Sequence, residues 1–166
     1  MATAENLQDA FAGESQANRK YTAFAKKAEA EGFKNIARLF RAVAEAETVH
    51  ALAHLRVMGG VKSTAENVKA ALAGETYEVE KMYPPMVAEA ERAKLSPAKT
   101  SFRNALDVEK DHAALYTQAL AAIQAGKDVD LGDLWVCGIC GHTVAGDPGD
   151  RCAICGAPRE RFAKIG

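Results

Sequence analysis

Apolar residues recur at intervals of three and four along most of the chain, and glycines interrupt the pattern at widely spaced stops. Leu7, Phe11, Tyr21 and Phe24 mark a first helix from about Ala4 to Glu31, closed by Gly32. A second runs from about Lys34 to Met58, where Gly59-Gly60 ends it. "STAE" at 63–66 has the form of a capping box and opens a short helix to about Leu72. A third long helix spans about Gly74 to Lys94, and Pro84-Pro85 should kink it because two backbone donors are lost. Ser96-Pro97 has the form of an N-cap followed by a first-turn proline. It starts a fourth long helix that reaches Ala125 and stops at Gly126. Residues 127–132 form a linker, and 133–166 are short of helical pattern and rich in Gly and Cys.

These elements predict an all-α fold, a four-helix bundle with one long crossover between the second and third helices, plus a small four-cysteine β/loop domain. The expected division is 1–126 for the bundle, 127–132 for the linker and 133–166 for the four-cysteine domain. An internal repeat supports the bundle. Phe40-Arg41, Glu47 and His50 match Phe102-Arg103, Glu109 and His112 at an offset of 62. Glu14 and Glu75 match at 61, and Tyr21 and Tyr83 at 62. The first two long helices are thus a pair repeated as the last two.

The repeated polar residues fall on apolar faces. Ile36, Phe40 and Val43 lead to Glu47 and His50, while Phe102 and Ala105 lead to Glu109, His112 and Tyr116. Glu14 shares a face with Leu7, Phe11, Asn18 and Tyr21. Glu75 shares one with Ala71, Glu78, Met82 and Met86. Four or five carboxylates in one core would repel one another and resist desolvation. Two divalent cations remove both problems, since four Glu and two +2 ions sum to zero charge. A Glu from each of two helices plus Glu-x-x-His from each of the other two is the donor pattern of ferritin-like di-iron bundles. Glu78, one turn from Glu75, is either a further ligand or a surface charge. His54 has no partner in the repeat and stays an ordinary polar residue. Tyr21 and Tyr83 are either core aromatics or donors to the carboxylates.

Charge and composition narrow the field. Formal net charge is −1, from 21 basic and 22 acidic residues, which argues against a nucleic-acid or membrane-surface binder. There is no signal peptide and no 18-residue apolar run, so a cytoplasmic location is expected. Cys137-x-x-Cys140 and Cys152-x-x-Cys155 each precede a glycine and form a tetrathiolate site suited to zinc or iron. Within 133–166, Arg151, Arg159, Arg161 and Lys164 balance Asp133, Asp147, Asp150 and Glu160, which disfavours phosphate binding. A redox partner for the bundle metals fits this domain better than a nucleic-acid zinc ribbon.

The motifs "FAGESQA", "AEAETVH", "AGETYEVEKMYP" and "DVEKDH", followed by "CGICG…CAICG", resemble the rubrerythrin family over the whole chain. The resemblance implies a ferritin-like four-helix bundle joined to a rubredoxin-like domain, with two Fe in the bundle and one Fe at the tetrathiolate site. Zinc can replace iron in a preparation. It implies a peroxidase that reduces hydrogen peroxide to water. Electrons would come from a pyridine nucleotide through a separate reductase or small redox protein. By motif position the di-iron ligands are Glu14, Glu47, His50, Glu75, Glu78, Glu109 and His112, with Tyr21 and Tyr83 close by. One iron would exchange His50 for Glu78 with redox state. Competing readings are a ferritin-type iron-handling protein and a zinc-ribbon binding module.

The fourth helix continues about 21 Å past His112, so the tetrathiolate domain is expected to start far from its own di-iron site. An extended linker spans at most roughly 20 Å. A head-to-tail homodimer, with electrons crossing between chains, would relieve that strain on reach.

Overall fold

Two long helices open the chain, α1 (Ala2–Ala30) and α2 (Lys34–Val57). The computed structural model describes residues 2–166; Met1, the first residue of the expected bundle segment, lies outside the described residues. The chain divides into two units, one ending at Lys62 and one running from Ser63 to Gly166.

In the first unit α1 and α2 pack as a hairpin. Gly32 takes a left-handed conformation (φ 85°), open to a residue without Cβ. The Phe33 N–H then reaches the Ala28 carbonyl (2.9 Å) and the Gly32 N–H the Glu29 carbonyl (3.0 Å), which caps α1. The seam is built from alanine. Ala25 and Ala28 of α1 and Ala37, Ala44 and Ala51 of α2 are buried. Seven-residue spacing keeps the α2 alanines on one face. Asn18 is the one buried polar residue among those described. Its amide donates to the Ala44 carbonyl (2.6 Å) and to Thr48 Oγ1 (2.7 Å), so its burial is compensated.

The second unit begins at the capping box. Ser63 and Glu66 exchange side-chain and backbone bonds as their spacing predicts. The helix they start, α3 (Thr64–Tyr77), does not stop near Leu72. It runs through Gly74 into a π-helical turn (Glu78–Met82) and on into α4 (Tyr83–Arg92). The expected short helix and third long helix are therefore one continuous path. Pro84 and Pro85 occupy the first turn of α4, immediately after the wide π turn. The missing proline donors and the widened turn fall together there. Lys94 ends the path in the left-handed region (φ 56°), the conformation Gly32 adopts in the first hairpin.

Helix α5 (Ser96–Gln124) then packs back along α3 and α4, with Val108 and Ala90 buried and Tyr83 against Phe102. Ser96 is the first residue of α5 rather than its cap. Leu95 flanks the helix and no side chain caps it.

The C-terminal lobe is a three-stranded antiparallel sheet in the order β2-β1-β3, from β1 (Leu134–Cys137), β2 (Thr143–Ala145) and β3 (Phe162–Ile165). Its core is Cys137, Cys152 and Phe162, wrapped by Trp135, Val144 and Ile154. The Arg159 guanidinium stacks 5.4 Å above the Trp135 ring. The chain is thus mostly helical with a small Cys-bearing sheet at its C-terminus, the expected fold class. No helix among the described residues is long and apolar enough to cross a membrane.

Candidate metal centres

Each unit assembles its own Glu-Glu-His trio. In the first unit Glu14 of α1 meets Glu47 and His50 of α2, with donor atoms within 4.8 Å of one another. In the second, Glu75 of α3 meets Glu109 and His112 of α5 within the same limit. The i, i+3 spacing places each His beside its Glu. Nδ1 of His50 lies 2.8 Å from Glu47 Oε2, and Nδ1 of His112 lies 2.6 Å from Glu109 Oε2.

The trios differ in their surroundings. The His50 side chain is 57% exposed, whereas that of His112 is 25% exposed. Nε2 of His112 lies 2.9 Å from Thr143 Oγ1, on β2 of the lobe. The Thr143 hydroxyl also lies 3.2 Å from the Gly141 carbonyl. The ring is thus oriented with Nδ1 toward the carboxylates and Nε2 on the Thr143 hydroxyl, the kind of outer partner that orients a metal-ligating histidine.

Three groups of the second unit respond to the local negative charge. Burial, and then the Glu109 carboxylate, pushes the Glu75 carboxyl above its ordinary value. Burial followed by Glu109 does the same to Glu78. Burial and then the charges of Glu78, Glu109 and Glu75 hold the Tyr83 hydroxyl protonated to higher pH. Glu78 therefore stands close enough to feel Glu109, yet it is not one of the three converging donors. Tyr83 stands by the second trio. Tyr21 packs in an aromatic cluster with Phe24 and Phe40.

The four cysteines converge as their spacing predicts. Sγ of Cys137 is 3.7 Å from that of Cys155, and Cys140 is 3.6 Å from Cys152. These are free thiols, too far apart for disulfides. Four sulfurs at about 2.3 Å from one ion stand roughly 3.8 Å apart on the edges of a tetrahedron, so the donor set fits a metal. Two matching knuckles hold it. The Gly141 N–H bonds the Cys137 carbonyl and the Gly156 N–H the Cys152 carbonyl, both at 2.9 Å. Burial pushes the Cys140 and Cys155 thiols up. At Cys137 burial also acts upward, but the backbone N–H groups of Cys140 and Ile139 bring the thiol down.

The lobe does not stand far from the ligand-bearing helix of its own chain, contrary to the expectation from linker length. Residues 127–132 turn the chain back so that the lobe lies against its own α5, with Thr143 on His112 and His142 Nε2 3.2 Å from Asp111 Oδ2. The sequence reading missed His142, Thr143 and Asp111. His142 follows the first CxxCG directly, which was the available signal. Beside the trio, Glu75, His112, Tyr116, Leu131, Leu134 and Thr143 line an open cleft of about 410 Å³.

Known proteins resemble this chain over nearly its whole length. The family model described as rubrerythrin matches residues 5–120, and that of the rubrerythrin rubredoxin-like domain matches residues 135–163. Rubrerythrin-2 of Clostridium acetobutylicum is 32% identical over 174 residues, covering 96% of this chain and 95% of the relative. Nigerythrin of Nitratidesulfovibrio vulgaris is 37% identical over 175 residues, covering 97% and 85%. The solved structure of fully reduced, all-ferrous nigerythrin is similar at a TM-score of 0.58 and 34% identity, covering 98% of this chain and 86% of that one.

Proposed function

Because the chain belongs to the rubrerythrin family, an oxidoreductase family with a di-iron domain and a rubredoxin-like tetrathiolate domain, we propose that it is a peroxidase reducing hydrogen peroxide to water. The observation that carries this reading is the presence of two Glu-Glu-His trios together with a tetrathiolate site docked beside one of them. The two trios would hold a ferrous pair, which when bound would supply the two electrons of H2O2 + 2e− + 2H+ → 2H2O, and the four cysteines would hold a one-electron iron that could replace them.

The residues divide the remaining work. Residues 1–126 would carry the di-iron ligands Glu14, Glu47, His50, Glu75, Glu109 and His112, with Glu78 as the ligand that exchanges with His50. Residues 127–132 are the tether and 133–166 the domain that relays electrons to the bundle. Burial and Glu109 raise the Glu78 carboxyl above its ordinary value, and burial followed by Glu78, Glu109 and Glu75 raises the Tyr83 hydroxyl, which puts two proton-bearing groups of shifted acidity beside the second trio. The cleft by Glu75 and His112 admits a small polar substrate. Tyr21 supports α1 by packing. The reading extends to a cytoplasmic homodimer reduced by a separate reductase or small redox protein.

The test mixes fully reduced, iron-loaded protein with hydrogen peroxide and, separately, with oxygen in a stopped-flow instrument. Peroxide should oxidise it much faster. Equal or faster reaction with oxygen would favour iron oxidation and handling instead.

A further inference from the structure

The two CxxCG knuckles of the lobe are alike in backbone and unlike in one side chain. In the first, the Cys137 N–H bonds the carbonyl of His142 (2.9 Å); in the second, the Cys152 N–H bonds the carbonyl of Ala157 (2.8 Å). Alanine satisfies the knuckle, so the turn does not explain an imidazole at 142. The ring is nevertheless held on every side. Its side chain is 13% exposed, and it packs edge-on against the buried Phe162. Nδ1 lies 3.5 Å from Cys152 Sγ, and Nε2 lies 3.2 Å from Asp111 Oδ2 on α5.

We propose that His142 is a positioning residue that docks the tetrathiolate lobe on α5 and donates an N–H to the Cys152 sulfur, raising the reduction potential of the ion held there. A ligating Cys152 is a thiolate and Asp111 is a carboxylate, both acceptors, so the ring must present an N–H to each, Nδ1–H to the sulfur and Nε2–H to Asp111. Such a bond favours the reduced site, in which the sulfurs carry more negative charge. Nε2 meets a carboxylate on the helix that bears Glu109 and His112. One residue further on, Thr143 grips His112 itself. The dipeptide His142-Thr143 therefore ties the sulfur donor set to the Glu-Glu-His donor set of the same chain.

The inference rests on reading the lobe as an iron redox site. That reading is checked first: the wild-type, iron-loaded full-length chain should show a reversible visible thiolate band. The inference is checked by two variants of that chain. His142→Ala copies the second knuckle and should still bind one metal at the cysteines. Its midpoint potential should fall by about 59 mV, a tenfold change for one electron, and in zinc-loaded protein a protease should cut 127–132 faster. Asp111→Leu should speed the same cleavage while shifting the potential less. A His142→Ala protein with wild-type potential and wild-type cleavage overturns the proposal. If His142→Ala cannot hold metal, Asp111→Leu decides: faster cleavage supports the docking role, and unchanged cleavage overturns it.

Discussion

The α1–α2 hairpin and the α3–α4–α5 arrangement are two renderings of one pattern, and their differences are local. Ser15 and Thr76 bond the carbonyl four residues back, at Phe11 and Leu72. Ala28 and Ala90 are buried at matching places. Tyr21 lies 6.1 Å from Phe40, and Tyr83 lies 6.5 Å from Phe102. Against this common frame the second copy has a π turn at Glu78–Met82 where α1 is regular, and Glu78 where α1 has Ala17. The repeat offset rises from 61 at Glu14/Glu75 to 62 at Tyr21/Tyr83, so one residue has been added between them. A single added residue in an α-helix is what a π turn accommodates. The extra residue leaves Tyr83 opposite Phe102 while placing an additional carboxyl next to Glu109.

The sharpest way to break this comparison is to delete Met82, which sets the offset back to 61. The wide turn can then close into regular α-helix, so the helix beyond it keeps its packing. A one-residue deletion at Lys20, in the regular α1, has no wide turn to absorb it and rotates the helix beyond by about 100°. We expect the Lys20 deletion to destabilise by at least about 3 kcal/mol and the Met82 deletion by much less, read from their urea midpoints.

Next in size is Thr143→Val. It removes the hydroxyl that holds His112 Nε2 and should weaken metal binding at the second trio by about 10- to 100-fold, measured by chelator competition. Affinity at the first trio, with its exposed His50, should not change. Equal losses at both would mean that Thr143 acts on the fold as a whole.

A smaller effect separates the two helix ends. Lys94 holds the left-handed conformation that glycine holds at position 32. Lys94→Gly should stabilise the protein by about 1 kcal/mol, and Gly32→Lys should destabilise it by a similar amount. Thermal melts of the metal-free variants check both signs.

The smallest effect is on pH. The Glu78 carboxyl is raised above its ordinary 4.5 by burial and Glu109. The folded chain therefore binds that proton more readily than the unfolded chain does. Its contribution is present below 4.5 and is lost as pH rises through the raised value. Glu78→Gln should flatten the fall in metal-free stability across that window, in urea titrations at a series of pH values.

Much of the molecule was legible in the chain because the signals were local. Gly32, Gly59 and Gly126 stop helices where they stand, and i, i+3 spacing alone unites each Glu with its His. Cysteine spacing marked out the tetrathiolate site in the same way. The misreadings were of two physical kinds. Gly74 and Ser96 carry local preferences, for a break and a cap, that tertiary packing overrides at a modest energy. The face drawn from Glu75 through Met82 to Met86 assumed an unbroken 3.6-residue period, and the π turn shifts it. The contacts of His142, Thr143 and Asp111 depend on the lobe turning back onto α5, and no spacing rule encodes that. The offset change from 61 to 62 was in plain view and carried the π turn.

Asn18 has a consequence for assembly in time. It sits one turn beyond Glu14, and its amide is bound to the Ala44 carbonyl, three residues before Glu47. If α1 slid along α2 by one turn, about 5.4 Å, that buried amide would lose its partners at a penalty of about 1–3 kcal/mol. Glu14 would move by the same distance relative to Glu47, beyond the span of a single ion. The alanine seam is too uniform to forbid such sliding by shape. Asn18 is thus a registration pin: it aligns the two carboxylates before any ion arrives, and the ion enters a site already indexed by an uncharged amide.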